Sequence, residues 1–173
     1  MECSHVTERA PGHPLRRRGT AGRKGTSMSG ETVLIVEDNA SNRKLIKALL
    51  LSEGYDVHTV EDAEEAQMKL ATIHPQLILM DIQLPGMDGL ALTRLLKADP
   101  RTSDMLIVAL SAYAMKGDLQ KALDAGCDAY ITKPIDRLPF LRTIRRYLDA
   151  VPSSVGEPGR TSRSQADNTD LSV

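Results

Sequence analysis

The sequence predicts an α/β protein built on a doubly wound, five-stranded parallel sheet with helices on both faces. Three observations predict it. Five short aliphatic runs alternate with five stretches of helical apolar periodicity within residues 31–150, the βα count of such a sheet. The first run, "TVLIV" at 32–36, is short and β-branched, as a strand should be. Gly54 and Gly126 fall just past the first and fourth helical stretches, where left-handed C-caps close a helix.

In chain order, strand one (32–36) leads to a helix from about Ser41 to Glu53, with Leu45, Ile46, Leu49 and Leu50 on one side. "YDVHTV" (55–60) is strand two, and its helix runs from about Asp62 to Thr72. Glu61 and Asp62 read as favourable charges at the start of that helix. "LILM" (77–80) is strand three, followed by a helix over "LALTRLLKA" (90–98). "MLIVAL" (105–110) is strand four, with a helix from about Tyr113 to Ala125. "AYIT" (129–132) is strand five, and the last helix spans about Asp136 to Leu148. Leu138, Leu141, Ile144 and Leu148 form its inner stripe, while Arg142, Arg145 and Arg146 lie on a solvated outer face.

Length and composition allow one ordinary domain with tails: 173 residues, 41% hydrophobic, with no Trp, one Phe and four Tyr, so the core is aliphatic. Residues 31–150 are the expected domain. Net charge is +4 over residues 1–30, −4 over 31–150 and −1 over 151–173. The acidic domain argues against direct nucleic-acid binding. Cys3 and Cys127 stand far apart, which fits a reducing, cytoplasmic compartment. No apolar run approaches the roughly 20 residues of a membrane span, and the N-terminus lacks the apolar core of a signal peptide. Residues 1–30, with the basic "LRRRGTAGRK", and residues 151–173 are Gly-, Ser- and Pro-rich without periodicity and are expected to be disordered. Met28, just before strand one, is an alternative start.

In doubly wound sheets ligands bind at the carboxyl ends of the strands. There the sequence places Glu37 and Asp38 after strand one, Asp81 after strand three, Ser111 after strand four and Lys133 after strand five. Asp81 stands out, because "LILMDIQLPGMDG" runs four apolar residues straight into one acid and then breaks into a Pro- and Gly-marked loop. An unpaired carboxylate there costs several kcal/mol. Singly, each of these residues reads as a cap, a loop position or a surface charge. Together, three acids gathered at one edge repel one another and call for a cation, and an all-oxygen set favours a hard one such as Mg2+. An aspartate carboxylate beside Mg2+ is a nucleophile able to form an acyl phosphate. Lys133 then serves as a point charge for a phosphoryl oxygen and Ser111 as a hydrogen-bond donor to another.

The blocks "VLIVEDNASNRKL", "LILMDIQLPGMDGL", "VALSAYAMKGD" and "AYITKPI" resemble, in order and spacing, those of the response-regulator receiver domain of bacterial two-component signalling, the CheY-like fold. The resemblance covers residues 31–150 and implies a flavodoxin-like strand order, 2-1-3-4-5. It also implies that Asp81 takes phosphate from a phosphohistidine on a histidine kinase or histidine phosphotransferase. Asp38 would ligate Mg2+ directly, Glu37 largely through water, and Gln83 through its backbone carbonyl. Ser111 stands at the switch hydroxyl position and Tyr130 at the aromatic switch position. On phosphorylation Ser111 would move to the phosphate and Tyr130 would turn inward, altering the face of helix four, strand five and helix five. The Lys133-Pro134 peptide is often cis in the family. Within it, the blocks are most similar to the single-domain regulators of cell-cycle and polar-development phosphorelays, the DivK type. The 23 residues after 150 are too few for an effector domain, so output through a downstream kinase or adaptor protein is expected.

Two other classes compete. A haloacid-dehalogenase-like Mg2+-dependent phosphatase also uses a strand-tip aspartate, but it wants a second acid two residues on, where this chain has Gln83. A phosphorylation-independent scaffold with the same fold has no use for the full set of acids, Ser111 and Lys133. No P-loop run exists, and His58 and His74 lack companions at zinc spacing. Met115 and Lys116 are a partner-contact candidate by position alone.

Overall fold

Val33 to Val36 are fully buried because their strand lies inside the sheet, flanked by parallel partners on both sides. The structure is a computed structural model that describes residues 7–8, 30–112 and 116–150. The elements are β1 Thr32–Val36, α1 Ala40–Ser52, β2 Asp56–Val60, α2 Ala63–Leu70, β3 Leu77–Asp81, α3 Gly89–Ala98, β4 Leu106–Ser111, α4 Lys116–Ala125, β5 Ala129–Thr132 and α5 Arg137–Ala150. The sheet runs β2-β1-β3-β4-β5, all parallel, as expected. Thr7–Glu8 add a two-residue strand antiparallel to the outer edge of β5, with Thr7 opposite Tyr130. The remaining expectations for 1–29 and 151–173, and those for Tyr113 and Met115, lie outside the described residues.

Period-two alternation divides each inner strand between two cores. Leu34, Val36, Ile78, Met80, Ile107 and Ala109 face α2, α3 and α4. Val33, Ile35, Leu77, Leu79, Val108 and Leu110 face α1 and α5. Each helix begins where the chain leaves a strand end, and side chains close four of these starts. Asn39 accepts from the amides of Ser41 and Asn42, Asp62 from Glu65, Asp88 from Leu90 and Asp136 from Leu138. Gly54 and Gly126 carry φ of 88° and 100°, the left-handed caps expected of them.

Three side chains depart from the expected pattern. Leu45 is 48% and Leu138 62% exposed. Ile46 and Leu50 take the inner face of α1, and Phe140 with Thr143 and Ile144 takes that of α5. The shift has a geometric cause: Leu138 sits in the first turn of α5, and Leu45 lies one residue, about 100°, off the Ile46–Leu50 row. Glu61 does not act only as a helix-start charge, because it pairs with Arg43 at 2.5 Å. On the outer face of α5, Arg145 reaches Glu53 at 2.7 Å and ties α5 to the end of α1.

Cys127 is buried, and burial pushes its thiol from 9.0 up to about 11. Two units leave about 100-fold less thiolate at neutral pH. Iodoacetamide at pH 8 is therefore expected to leave Cys127 unlabelled in the native protein and to label it in urea, read by peptide mass. Native labelling at the rate of a free thiol would show that the packing around Cys127 opens readily.

Candidate functional site

The parallel register brings the carboxyl ends of the strands to one level, with Asp81 opposite Leu110 and Ser111 opposite Thr132. Glu37 and Asp38 leave β1 there, Asp81 closes β3, Ser111 closes β4 and Lys133 follows β5. Glu37, Asp38 and Asp81 each place a carboxylate oxygen within 4.8 Å of the others. Glu37 and Asp81 are buried, at 0% and 3% exposure, whereas Asp38 faces solvent. The sequence thus named the acids that the fold assembles.

Lys133 stands between two of them. Its ammonium donates to Asp81 Oδ2 at 2.5 Å and lies 2.8 Å from Glu37 Oε2. Burial opposes its charge, but the hydrogen bond to Asp81 and the negative charges of Asp81 and Glu37 outweigh that and hold its pKa above the ordinary lysine value. Asp81 Oδ1 accepts the backbone N–H of Gln83 at 2.9 Å, so each oxygen of this carboxylate has a donor. Glu37 Oε1 accepts from Asn42 Nδ2 at 3.0 Å. The contact of Glu37 Oε2 with Lys133 is an ion pair rather than an aligned hydrogen bond, so that buried oxygen keeps an unused lone pair.

The donor set fits a hard divalent cation. All three acids offer oxygen, Glu37 Oε2 has spare capacity, and three carboxylates against one ammonium leave two formal negative charges. The cluster contains no His or Cys, the softer ligands that zinc and copper sites favour.

Ser111 is 2% exposed and Tyr130 3% exposed. Tyr130 packs in the core shared by α2, α3 and α4, so its ring is already inward in this structure. A cavity of ≈ 240 Å³ borders Ser111, lined by Ile82, Gln83, Asp88, Leu90 and Lys121 among others. It lies beside Asp81, in the loops at the same sheet edge. A larger hollow, ≈ 520 Å³ between α2 and α3, opens among His74, Asp99 and Arg101, toward the amino ends of the strands and away from this chemistry. The Lys133-Pro134 peptide is cis, and the Lys133 amide donates to Ser111 O at 2.7 Å.

Sequence reasoning left Asn42, Arg43 and Gly89 without roles. Asn42 holds Glu37, and Arg43 donates to the carbonyls of Glu37 and Asp38. A Cβ on Gly89 would stand 2.0 Å from Asp81 O. The signal was present in spacing: Asn42 and Arg43 lie one helical turn into α1 from the acids, where side chains can reach back.

Comparison with known proteins follows this geometry. The response regulator receiver domain family matches residues 33–145. The chain is 43% identical over 118 residues to the polar-differentiation response regulator DivK of Brucella ovis, covering 68% of this chain and 96% of that one. It is 44% identical over 119 residues to DivK of Brucella anthropi, with the same coverage. Among solved structures it is similar to the receiver domain of a sensor histidine kinase from Pseudomonas aeruginosa PAO1, described with a magnesium ion coordinated in its active-site cleft. That likeness has a TM-score of 0.65 and 36% identity, and covers 70% of this chain and 100% of that one.

Proposed function

The chain belongs to the response regulator receiver domain family of two-component signalling, and from that premise we propose that Asp81 is its phosphoacceptor. The observation that carries the proposal is a single buried aspartate at a strand tip, with one oxygen on an ammonium and the other on a backbone N–H. In the reaction an Asp81 carboxylate oxygen attacks the phosphorus of a phosphohistidine on a histidine kinase or histidine phosphotransferase. The O–P bond forms as the P–N bond breaks, and the bond's electron pair stays on the imidazole. Lys133 keeps its charge at neutral pH and gives the incoming phosphoryl oxygens a cation in place of the carboxylate it now holds. Ser111, at the adjacent strand end, donates to another oxygen. Gln83 N–H and Lys133 hold the carboxylate until transfer. Asp38, Asp81 and the Gln83 carbonyl would hold Mg2+, with Glu37 acting through water, and the ion would neutralise phosphoryl charge.

The modified protein then carries an acyl phosphate of about two negative charges where a singly charged carboxylate stood, a net gain of about one, at a site bordered by β4, β5 and α4. Its output is an altered affinity for a downstream kinase or adaptor protein. The readable change falls on Ser111, the cavity beside it and the neighbouring Tyr130. The acidic domain disfavours direct binding to nucleic acid. No helix among the described residues is long and apolar enough to cross a membrane, and the proposed place of action is the cytoplasm.

The deciding experiment is intact-protein mass after incubation with Mg2+ and acetyl phosphate. Wild type is expected to gain one phosphate and Asp81→Asn none. Equal gain in both would move the acceptor elsewhere. No gain in wild type, with Mg2+ shown to bind, would favour a phosphorylation-independent scaffold. Repeated turnover of a small phosphate ester would favour a phosphatase.

A further inference from the structure

Successive carbonyls of a strand point in opposite directions, so two that converge on one donor mark a turn held in place. This happens where the chain leaves β1. Arg43 Nη1 donates to Glu37 O at 2.7 Å and to Asp38 O at 3.1 Å, while Nη2 donates to Glu61 Oε1 at 2.5 Å. The Arg43 side chain is only 15% exposed, and Glu61, in the β2–α2 loop, holds its far end. Asp38 differs from Glu37 in having no hydrogen-bond or ion-pair partner for its carboxylate among the described residues. The direction of that carboxylate is therefore set by its backbone, and the backbone is set by Arg43.

We infer that Arg43 is a positioning residue that aims the Asp38 carboxylate into the acidic cluster, with Glu61 as its anchor, so that affinity for a divalent cation depends on the β2–α2 loop. The inference rests on reading the cluster as a Mg2+ site. Charge alone predicts the opposite sign. Arg43 is a cation close to three acids, so deleting it would tighten cation binding if its role were only electrostatic. If it positions, deletion loosens binding despite the gain in negative potential. Only a guanidinium spans both carbonyls and the Glu61 carboxylate in one plane, so lysine keeps the charge and loses the fork.

The test is calorimetric Mg2+ titration of the full chain as wild type, Arg43→Gln, Arg43→Lys and Glu61→Gln. It is paired with amide hydrogen exchange of Glu37, whose N–H donates to Val60 O at 3.2 Å, in metal-free protein. Both Arg43 variants are expected to bind Mg2+ about 10-fold more weakly, the usual loss for a residue that supports a ligand. Glu61→Gln is expected to lose less, and to add little to Arg43→Gln when combined. Exchange at Glu37 should quicken while β3 amides stay protected. Unchanged or tighter Mg2+ binding in Arg43→Gln, with unchanged exchange, overturns the inference. Should Arg43→Gln fail to fold, Arg43→Lys and Glu61→Gln decide by the same criteria. Wild type that binds no Mg2+ defeats the reading of the site instead, and the exchange of metal-free protein still decides whether Arg43 holds the turn.

Discussion

Lys133→Met is expected to destabilise the protein by about 3–5 kcal/mol at pH 7, the usual cost of removing one partner from a buried ion cluster. The Lys133 side chain is 16% exposed, and those of Glu37 and Asp81 are 0% and 5% exposed. Without the ammonium two carboxylates face each other with little water. Part of the cost can be relieved by proton uptake, because like charges and burial raise carboxylate pKa values. The deficit of the variant should therefore shrink as pH falls from 7 toward 4.

At the alkaline end the sign is reversed. The folded-state pKa of Lys133 lies above its ordinary 10.5, so its stabilisation is full below that value and lost as pH rises through the folded value. Tyr55 titrates in the same range, its pKa raised from 10.0 mainly by burial. The Lys133 contribution is thus the difference between wild type and variant, measured by urea unfolding from pH 4 to 11. Added Mg2+ is expected to raise the midpoint of the variant more than that of wild type. A variant within 1 kcal/mol of wild type at pH 7, with the same pH profile, would show that the three charges are solvated rather than interdependent.

Gly89→Ala is the second large effect. The added Cβ would sit 2.0 Å from Asp81 O, 3.0 Å from Asp81 C and 3.1 Å from Ile82 Cα. These are backbone atoms, and no rotamer relieves the contact, so the start of α3 or the end of β3 has to move. A cost of about 3 kcal/mol or more follows from forced overpacking. The atom displaced belongs to the phosphoacceptor itself. A shift of about 1 Å there is expected to slow phosphoryl acceptance by about 100-fold in molecules that still fold. Gly86→Ala is the control: its φ is +75°, but nothing lies within 4 Å of the new Cβ, so it suffers only the left-handed penalty of about 1–2 kcal/mol. Urea midpoints and mass-detected phosphorylation rates separate the two. If Gly89→Ala proved as mild as Gly86→Ala, the close packing of α3 on the tip of β3 would be wrong.

The site was legible in the sequence because each of its residues lies within two positions of the end of an apolar run. In a parallel sheet such residues share one edge, so Glu37, Asp38, Asp81, Ser111 and Lys133 could be placed together before any coordinate. Side chains on helices were less legible. Leu138 looked like part of an inner stripe, yet Phe140 holds that place, because periodicity gives relative angles around a helix and not which angle meets the sheet.

What the sequence determined by itself was therefore the sheet, its order through family resemblance, and the chemical inventory of one edge, all of which follow from local periodicity and chain direction. Tertiary structure alone decided how that inventory is engaged: Lys133 on two acids, Arg43 across two carbonyls to Glu61, and α3 seated on Asp81 through the missing side chain of Gly89. These contacts join residues as far as 96 positions apart in the chain, Glu37 to Lys133 being the widest. Hydrogen bonds and steric contacts act over a few ångströms, and only the folded packing brings such distant residues within that range.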